Sequence, residues 1–461
     1  MPELNSSKIG FVAALATMIG LNMGGGLWST PAIAGSITGS SAVGSMLLAA
    51  VPLFLAFPAY FTLSKVWPTS PGHYYYPSRV LVENETLGHL IGWLVGWTRL
   101  IVEALLSYTF MVLGGAAFLH LLVPSVPRYL FVVGLLTVAF GTVWFGLRVV
   151  GWIEIGLVVL LLATVAVFVV GGLPHVDPAN LSHAMPNGFV NFLSSIGIVY
   201  ILAAGGLGII DVGGEIDDAS NTIGKVLLYG IGGVVLIDAL VTLVVVGAVP
   251  FSQLGGKTLS FVAGQYFSTG LTTLVGLGAV VAGLSTVLAI LPMHFRFYMA
   301  MAEDNLLPDW INTRNRYGEP IIPLIGAYVL AVATAYFNLP LGTMAAGFVF
   351  PLIGMMILVS LAGFRLPTTH PEIFERESLK SSSMTSPTVV RWSSFLAVVT
   401  MTVMFAFLAY KNQQPFQWFL IIMAAGVAIY VVRLLISGSD DLLPESSRLG
   451  IPGRGEPAES D

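Results

Sequence analysis

The chain has no cysteine in its 461 residues, which excludes disulfides, thiolate metal sites and cysteine nucleophiles. Charge is also scarce: 9% of residues are Asp, Glu, Lys or Arg, against the roughly 25% with which a soluble domain meets water. A chain this long with so few charges cannot clothe a water-facing surface, so lipid is the solvent for most of it. The seven His are scattered, without the His-x-x-x-His or His-Glu-x-x-His spacing that would hold a metal. No Gly-x-x-x-x-Gly-Lys-Ser/Thr loop is present to cradle ATP phosphates, and no nucleophile–base pair or paired acids point to an enzyme. A net charge of −5 is too small to imply a nucleic-acid partner.

What abounds is apolar sequence, 56% of residues with a mean hydropathy of +0.87. A helix crosses the ~30 Å hydrocarbon core with about 20 residues. Apolar runs between polar or Pro/Gly-rich breaks predict an all-α membrane protein of twelve transmembrane helices: 9–36, 41–63, 89–121, 128–147, 151–173, 191–215, 226–249, 271–300, 320–338, 341–364, 392–410 and 415–437. The first run lacks a signal-peptide cleavage site and is too long for a signal peptide's apolar core. Residues 251–270, interrupted by Gln253, Lys257 and Gln265, are expected to form a loop with a short interfacial helix.

Of the 19 Lys and Arg, this topology places all but four on the side of the N-terminus; Arg128, Lys257 and Lys411 fall opposite, and Arg99 lies within a span. Cytoplasmic loops retain basic residues, so both termini of this multi-pass, cell-membrane protein are expected in the cytoplasm. Segment 365–391, with Glu372, Glu375, Arg376, Glu377 and Lys380, is expected to be a cytoplasmic linker before the last two helices, 392–437. The polar stretch 438–461 is expected to be a disordered cytoplasmic tail.

Two spans carry breaks at corresponding places. The first reads Gly20-Leu21-Asn22-Met23-Gly24-Gly25-Gly26 with Pro31 following; the sixth reads Ala203-Ala204-Gly205-Gly206-Leu207-Gly208, then Gly213-Gly214. Each glycine costs a helix interior roughly 1 kcal/mol relative to alanine. Three in a row at membrane depth favour unwinding, and the freed N–H and C=O groups then need a ligand, an ion or a water-lined cavity. The competing reading is close helix packing, for which Gly20-x-x-x-Gly24 is a suitable pattern. The two breaks lie five spans apart, so any five-helix repeat must be inverted in the membrane, and paired broken helices in inverted halves point to a transporter site at the midplane.

Gly24-Gly25-Gly26-Leu27-Trp28-Ser29-Thr30-Pro31 resembles the Gly-Ser-Gly-Ile-Phe-x-x-Pro signature of the amino acid–polyamine–organocation (APC) superfamily. Ser70-Pro71-Gly72-His73-Tyr74-Tyr75-Tyr76 resembles its Gly-Gly-x-Tyr-x-Tyr motif after helix 2. Glu215-Ile216-Asp217-Asp218-Ala219, with Lys225 beyond, is more loosely similar to its Glu-Val-Lys-Asn-Pro stretch. Arg296 to Pro308 and Gly318-Glu319-Pro320 resemble its signature joining helices 8 and 9. The resemblance implies a LeuT-type fold: inverted repeats of helices 1–5 (1–173) and 6–10 (191–364), with helices 1 and 6 unwound and two helices appended. It also implies amino acid or amine substrates carried by secondary transport.

On that reading the N–H groups of Gly24, Gly25 and Gly26 open a helix whose dipole favours a carboxylate. Carbonyls near Gly20, Leu21 and Asn22, and near Ile201, Leu202 and Ala204, would accept from an ammonium. Gly205 takes the family's glycine position in helix 6, and Ile290 of the eighth span completes the expected lining. The family's acidic position in helix 6 is Leu207 here, so no carboxylate is expected to face the pocket. A neutral, apolar amino acid follows, because a cationic side chain would be buried unpaired.

Two coupling ions stay open. In sodium-coupled relatives two adjacent hydroxyls and helix 1 carbonyls hold the ion; Ser285 and Thr286, with the carbonyls of Gly20 and Met23, are the corresponding sodium candidates, an oxygen-only set suited to a hard cation. Local bonding of those hydroxyls to the preceding turn is the alternative. For protons, helix 5 lacks the lysine that some relatives use, while Arg99, Glu103 and Asp238 lie within spans. Arg99 and Glu103, spaced i,i+4, share a helix face and can neutralise each other. Glu154 is expected to snorkel to the inner surface. An exchanger or facilitator, a channel and a non-transporting nutrient sensor are the rival functions on the same helices.

Overall fold

The computed structural model describes residues 9–337, 339–380 and 382–437. Among them no β-strand occurs, only isolated bridges such as Ile9 with Ile216. The expected tail, 438–461, lies outside the described residues. Among the described residues nine helices are long and apolar enough to cross a membrane, and three shorter apolar ones, Phe11–Asn22, Arg128–Trp144 and Ile321–Phe337, accompany them.

In chain order the helices are α1 (Phe11–Asn22), α2 (Thr30–Thr38), α3 (Ala42–Val66), α4 (Gly72–Val80), α5 (Glu85–Leu122), α6 (Arg128–Trp144) and α7 (Leu147–Gly172). Then come α8 (Phe189–Ala204), α9 (Ala219–Ala248), α10 (Thr269–Glu303), α11 (Ile321–Phe337), α12 (Leu341–Thr369), α13 (Pro387–Lys411) and α14 (Gln413–Ser437). Each expected span falls on one of these helices except the first, which is two, and the sixth, which is α8 followed by a 3₁₀ segment. The short α4 is absent from the sequence expectations: its composition is too polar and aromatic to register as an apolar run. The stretch 251–270 holds only a turn at Phe251–Gln253 and a short helix at Leu259–Ala263, as its interrupting polar residues imply. The linker is shorter than expected, because α12 runs to Thr369 and α13 starts at Pro387; Ile373 and Leu379 within it are buried.

Two local departures from α geometry position the site. Within α5, Thr98–Glu103 widens into a π-helical turn, a device often found where a helix presents functional groups. After α8 the chain tightens into a 3₁₀ segment, Gly205–Glu215, with non-helical angles at Val212.

The motif segments named above grip one another at one end of the bundle. Arg79 of α4 donates to both carboxylate oxygens of Asp304 at 2.6 Å, and the Tyr74 hydroxyl donates to the same group at 2.6 Å. Burial, reinforced by the Asp304 carboxylate, holds the Tyr74 hydroxyl well above its ordinary pKa, so it remains a donor. Arg296 of α10 forms a bidentate ion pair with Glu215, a geometry that fixes orientation as well as charge. Ile9 donates its N–H to Glu215 O at 2.9 Å and accepts from Asp217 N at 2.9 Å, tying the start of α1 to the end of the 3₁₀ segment.

Candidate functional site

The first glycine-rich span is interrupted where the sequence implies. α1 ends at Asn22 and α2 starts at Thr30, leaving Met23–Ser29 outside any helix. The Met23 N–H closes the last turn on Ile19 O. Gly25 donates its N–H to Thr286 Oγ1 at 3.0 Å, so this amide is occupied. Those of Gly24 and Gly26 donate to no acceptor among the described residues, and the carbonyls of Leu21 and Asn22 receive no N–H.

Two of the three glycines here are also required sterically. A Cβ on Gly25 would overlap the Met111 carbonyl of α5, and one on Gly24 would overlap Thr286 Oγ1. At Gly26 the nearest atom is Leu202 Cδ2, 3.3 Å away. Close packing, the competing reading of this run, therefore holds at Gly24 and Gly25, whereas Gly26 has more room.

The second break differs from the expectation of an unwound helix 6. The α-helix gives way to a 3₁₀ helix at Gly205 rather than opening, and Ile201 O, expected to be free, accepts the Gly205 N–H. The cause is a contact between the two broken helices: Asn22 Oδ1 accepts from Gly206 N at 2.5 Å, while a Cβ on Gly205 would meet Leu21 O at 2.7 Å. Asn22 supplies the missing acceptor, and the absence of a side chain at Gly205 permits the approach.

Between these segments lies a small cavity. Its walls include Leu21, Ile201, Ala204, Gly205 and Ile290 from the expected set, joined by Met111, Met293, Phe348, Leu352 and Met356. Gly20, Asn22, Gly24, Gly25, Gly26 and Leu202 stand behind the lining. Gly26 is near one lining residue, Met111, whose Sδ is 3.9 Å from where a Gly26 Cβ would be, and a flexible thioether is readily displaced.

The expectation of a pocket without carboxylates is overturned. Glu103 and Asp211 both line the cavity, with Arg99, His73 and His294. Arg99 pairs with Glu103 Oε2 at 2.5 Å, as the i,i+4 spacing implies, and also reaches Asp211 Oδ2 at 3.5 Å. His294 Nε2 is 3.0 Å from the same Glu103 oxygen, and His73 Nδ1 is 3.0 Å from Asp211. The pair expected from sequence is thus part of a cluster drawn from α4, α5, the 3₁₀ segment and α10. His294 was legible on one ground, standing one helical turn beyond Ile290 on the same face. His73 lies on α4 and reaches Asp211 only through the fold.

Ser285 and Thr286 do face the end of α1. Thr286 Oγ1 donates to Ala282 O at 2.9 Å, with Gly20 O at 3.3 Å. Ser285 donates to Glu154 Oε1 at 2.7 Å. Glu154 is 5% exposed rather than snorkelling, and its Oε2 has no partner. Met23 is buried. Asp238 is fully buried on α9, with neither carboxylate oxygen partnered, and it does not line the cavity.

Comparison with known proteins places these features in context. The model of the amino acid permease family matches residues 9–432. An uncharacterized transporter of Mycobacterium tuberculosis is 27% identical over 72% of this chain and 75% of its own length. The methylthioribose transporter of Bacillus subtilis is 23% identical, covering 77% and 80%. The branched-chain amino acid permease of Lactococcus lactis is 26% identical, covering 69% and 72%.

Proposed function

The chain belongs to the amino acid permease family, a family of multi-pass membrane transport proteins, and from that premise we propose that it is a secondary transporter of neutral, apolar amino acids. The observation that carries this reading is the set of unbonded main-chain groups near a cavity lined by apolar and charged residues. The unbonded amides of Gly24 and Gly26, in the non-helical run between α1 and α2, suit a carboxylate. The carbonyls of Leu21 and Asn22 suit an ammonium, and Leu21, Met111, Ile201, Ile290 and Leu352 suit an aliphatic side chain. Both cavity carboxylates are engaged, Glu103 by Arg99 and His294 and Asp211 by Arg99 and His73. The branched-chain permease among the relatives is consistent with this choice.

In this reading twelve spans form inverted repeats, 1–173 and 191–364, of the LeuT type, with two appended helices and both termini in the cytoplasm. α1 and the 3₁₀ segment rock together, joined through Asn22 and Gly206, so that the cavity opens to one side at a time. Thermal unfolding of the purified protein with each of the twenty amino acids should show selective stabilisation by leucine, isoleucine or valine, followed by their uptake into proteoliposomes. Stabilisation without uptake would favour a nutrient sensor, and uptake only against internal amino acid an exchanger. Stabilisation by none would sink the reading.

Sodium coupling through Ser285 and Thr286 is a second reading, favoured by the unpartnered Glu154 Oε2 beside Ser285. With Gly20 and Met23 carbonyls these oxygens would hold a hard cation, whose charge would be supplied at the end of α1. Replacing sodium with choline at constant pH should then stop uptake.

A further inference from the structure

The buried cluster beside the cavity has charges that do not balance. Arg99 brings one positive charge and Glu103 and Asp211 two negative, with side chains only 8%, 1% and 1% exposed. An uncompensated charge in such surroundings is strongly unfavourable. One proton, on either of the two histidines in contact with the carboxylates, brings the sum to zero.

We propose that the cluster of Arg99, Glu103, Asp211, His73 and His294 is a proton-binding site that carries one proton with each substrate molecule. This rests on the transport reading above.

The members form one hydrogen-bonded path. The Tyr60 hydroxyl lies 3.1 Å from His73 Nε2, and His73 Nδ1 lies 3.0 Å from both Asp211 oxygens. The Arg99 guanidinium bridges Asp211 and Glu103, and His294 Nε2 sits 3.3 Å from Arg99 NH1 and 3.0 Å from Glu103. His294 Nδ1 and the Tyr108 hydroxyl, 2.5 Å apart, close the far end. Phe297 covers the guanidinium at 5.0 Å, and Tyr76, Tyr200 and Tyr298 are further titratable groups around the cluster. Glu103 Oε1 and Arg99 Nε have no partner, leaving an acceptor and a donor available when the packing changes.

Placement supplies the coupling. The five ionisable members share the cavity wall with Leu21, Ile201 and Gly205, so a bound zwitterion acts on their field directly. Asp211 rides on the 3₁₀ segment, whereas Arg99 and Glu103 belong to α5. Movement of one against the other lengthens the 3.5 Å Arg99–Asp211 contact and admits water. The proton enters from water on the side to which the cavity is open and leaves to water on the other; no other bond is made or broken.

The test uses the full chain in proteoliposomes holding a trapped pH indicator, with the membrane potential clamped and sodium replaced by choline. External L-leucine should acidify the lumen by about one proton per leucine carried. Asp211→Asn makes the cluster neutral without a proton, so its remaining leucine flux should carry none; Glu103→Gln has the same charge sum and serves if the first variant does not reconstitute. Leucine entry into wild-type vesicles without protons, a requirement for sodium, or an unchanged proton-to-leucine ratio in either variant would overturn the proposal. Wild-type protein that neither binds nor carries any amino acid would instead sink the transport reading itself.

Discussion

Asn22 Oδ1 accepts the Gly206 amide at 2.5 Å, joining the end of α1 to the first turn of the 3₁₀ segment across the protein interior. The same side chain donates weakly to Met18 Sδ at 3.7 Å. Asn22→Ala leaves the Gly206 N–H buried and unsatisfied, a loss of about 1–3 kcal/mol. Thermal unfolding in detergent should show the destabilisation, and uptake should fall further than folded yield, because the variant unlinks the two broken helices. Asn22→Asp keeps the acceptor and should recover part of the uptake.

Two glycines of the first break, Gly25 and Gly26, should respond differently to the same small change. Gly25→Ala drives a methyl group into the Met111 carbonyl, a backbone atom that cannot move away cheaply, so folded yield should collapse. Gly26→Ala meets Leu202 Cδ2 at 3.3 Å, which small adjustments relieve. Its folded yield should stay near wild type, while leucine affinity drops by roughly 1–3 kcal/mol, on the scale of overpacking. Titration calorimetry and size-exclusion profiles of the two variants check the contrast.

Asp304→Asn keeps the shape of the hub between α4 and the end of α10 but leaves Arg79 buried without its countercharge. The side chains are 5% and 6% exposed, so the loss should approach the ~3–5 kcal/mol of a broken buried pair. A lowered unfolding midpoint is the expected result, and the double variant Arg79→Met with Asp304→Asn should recover part of it.

Asp238→Asn should leave proton-coupled uptake intact. Asp238 touches neither the cavity nor the charged cluster, and with both oxygens unpartnered a neutral amide costs the fold little. Uptake measured against external pH should superimpose on the wild-type profile.

The long apolar helices were legible because twenty-odd apolar residues have no other stable home than lipid. The first break was legible because Gly24, Gly25 and Gly26 precede Pro31. Tightening of the second was not: it depends on Asn22, distant in sequence, supplying an acceptor. The charged cluster was half visible, since Arg99 and Glu103 share a helix face whereas His73 and Asp211 meet only through the fold. Glu154 was misplaced because hydropathy reports depth and not the hydroxyl of Ser285 waiting on a neighbouring helix.

The central claim is that main-chain groups at the interrupted helix recognise both charges of an amino acid. Calorimetric titration of the purified protein with L-leucine, with 3-methylbutylamine lacking the carboxylate, and with 4-methylpentanoate lacking the ammonium tests it directly. The account predicts saturable binding of leucine and no measurable binding of either analogue at concentrations that saturate leucine. Equal affinity for leucine and one of the single-charge analogues would contradict it.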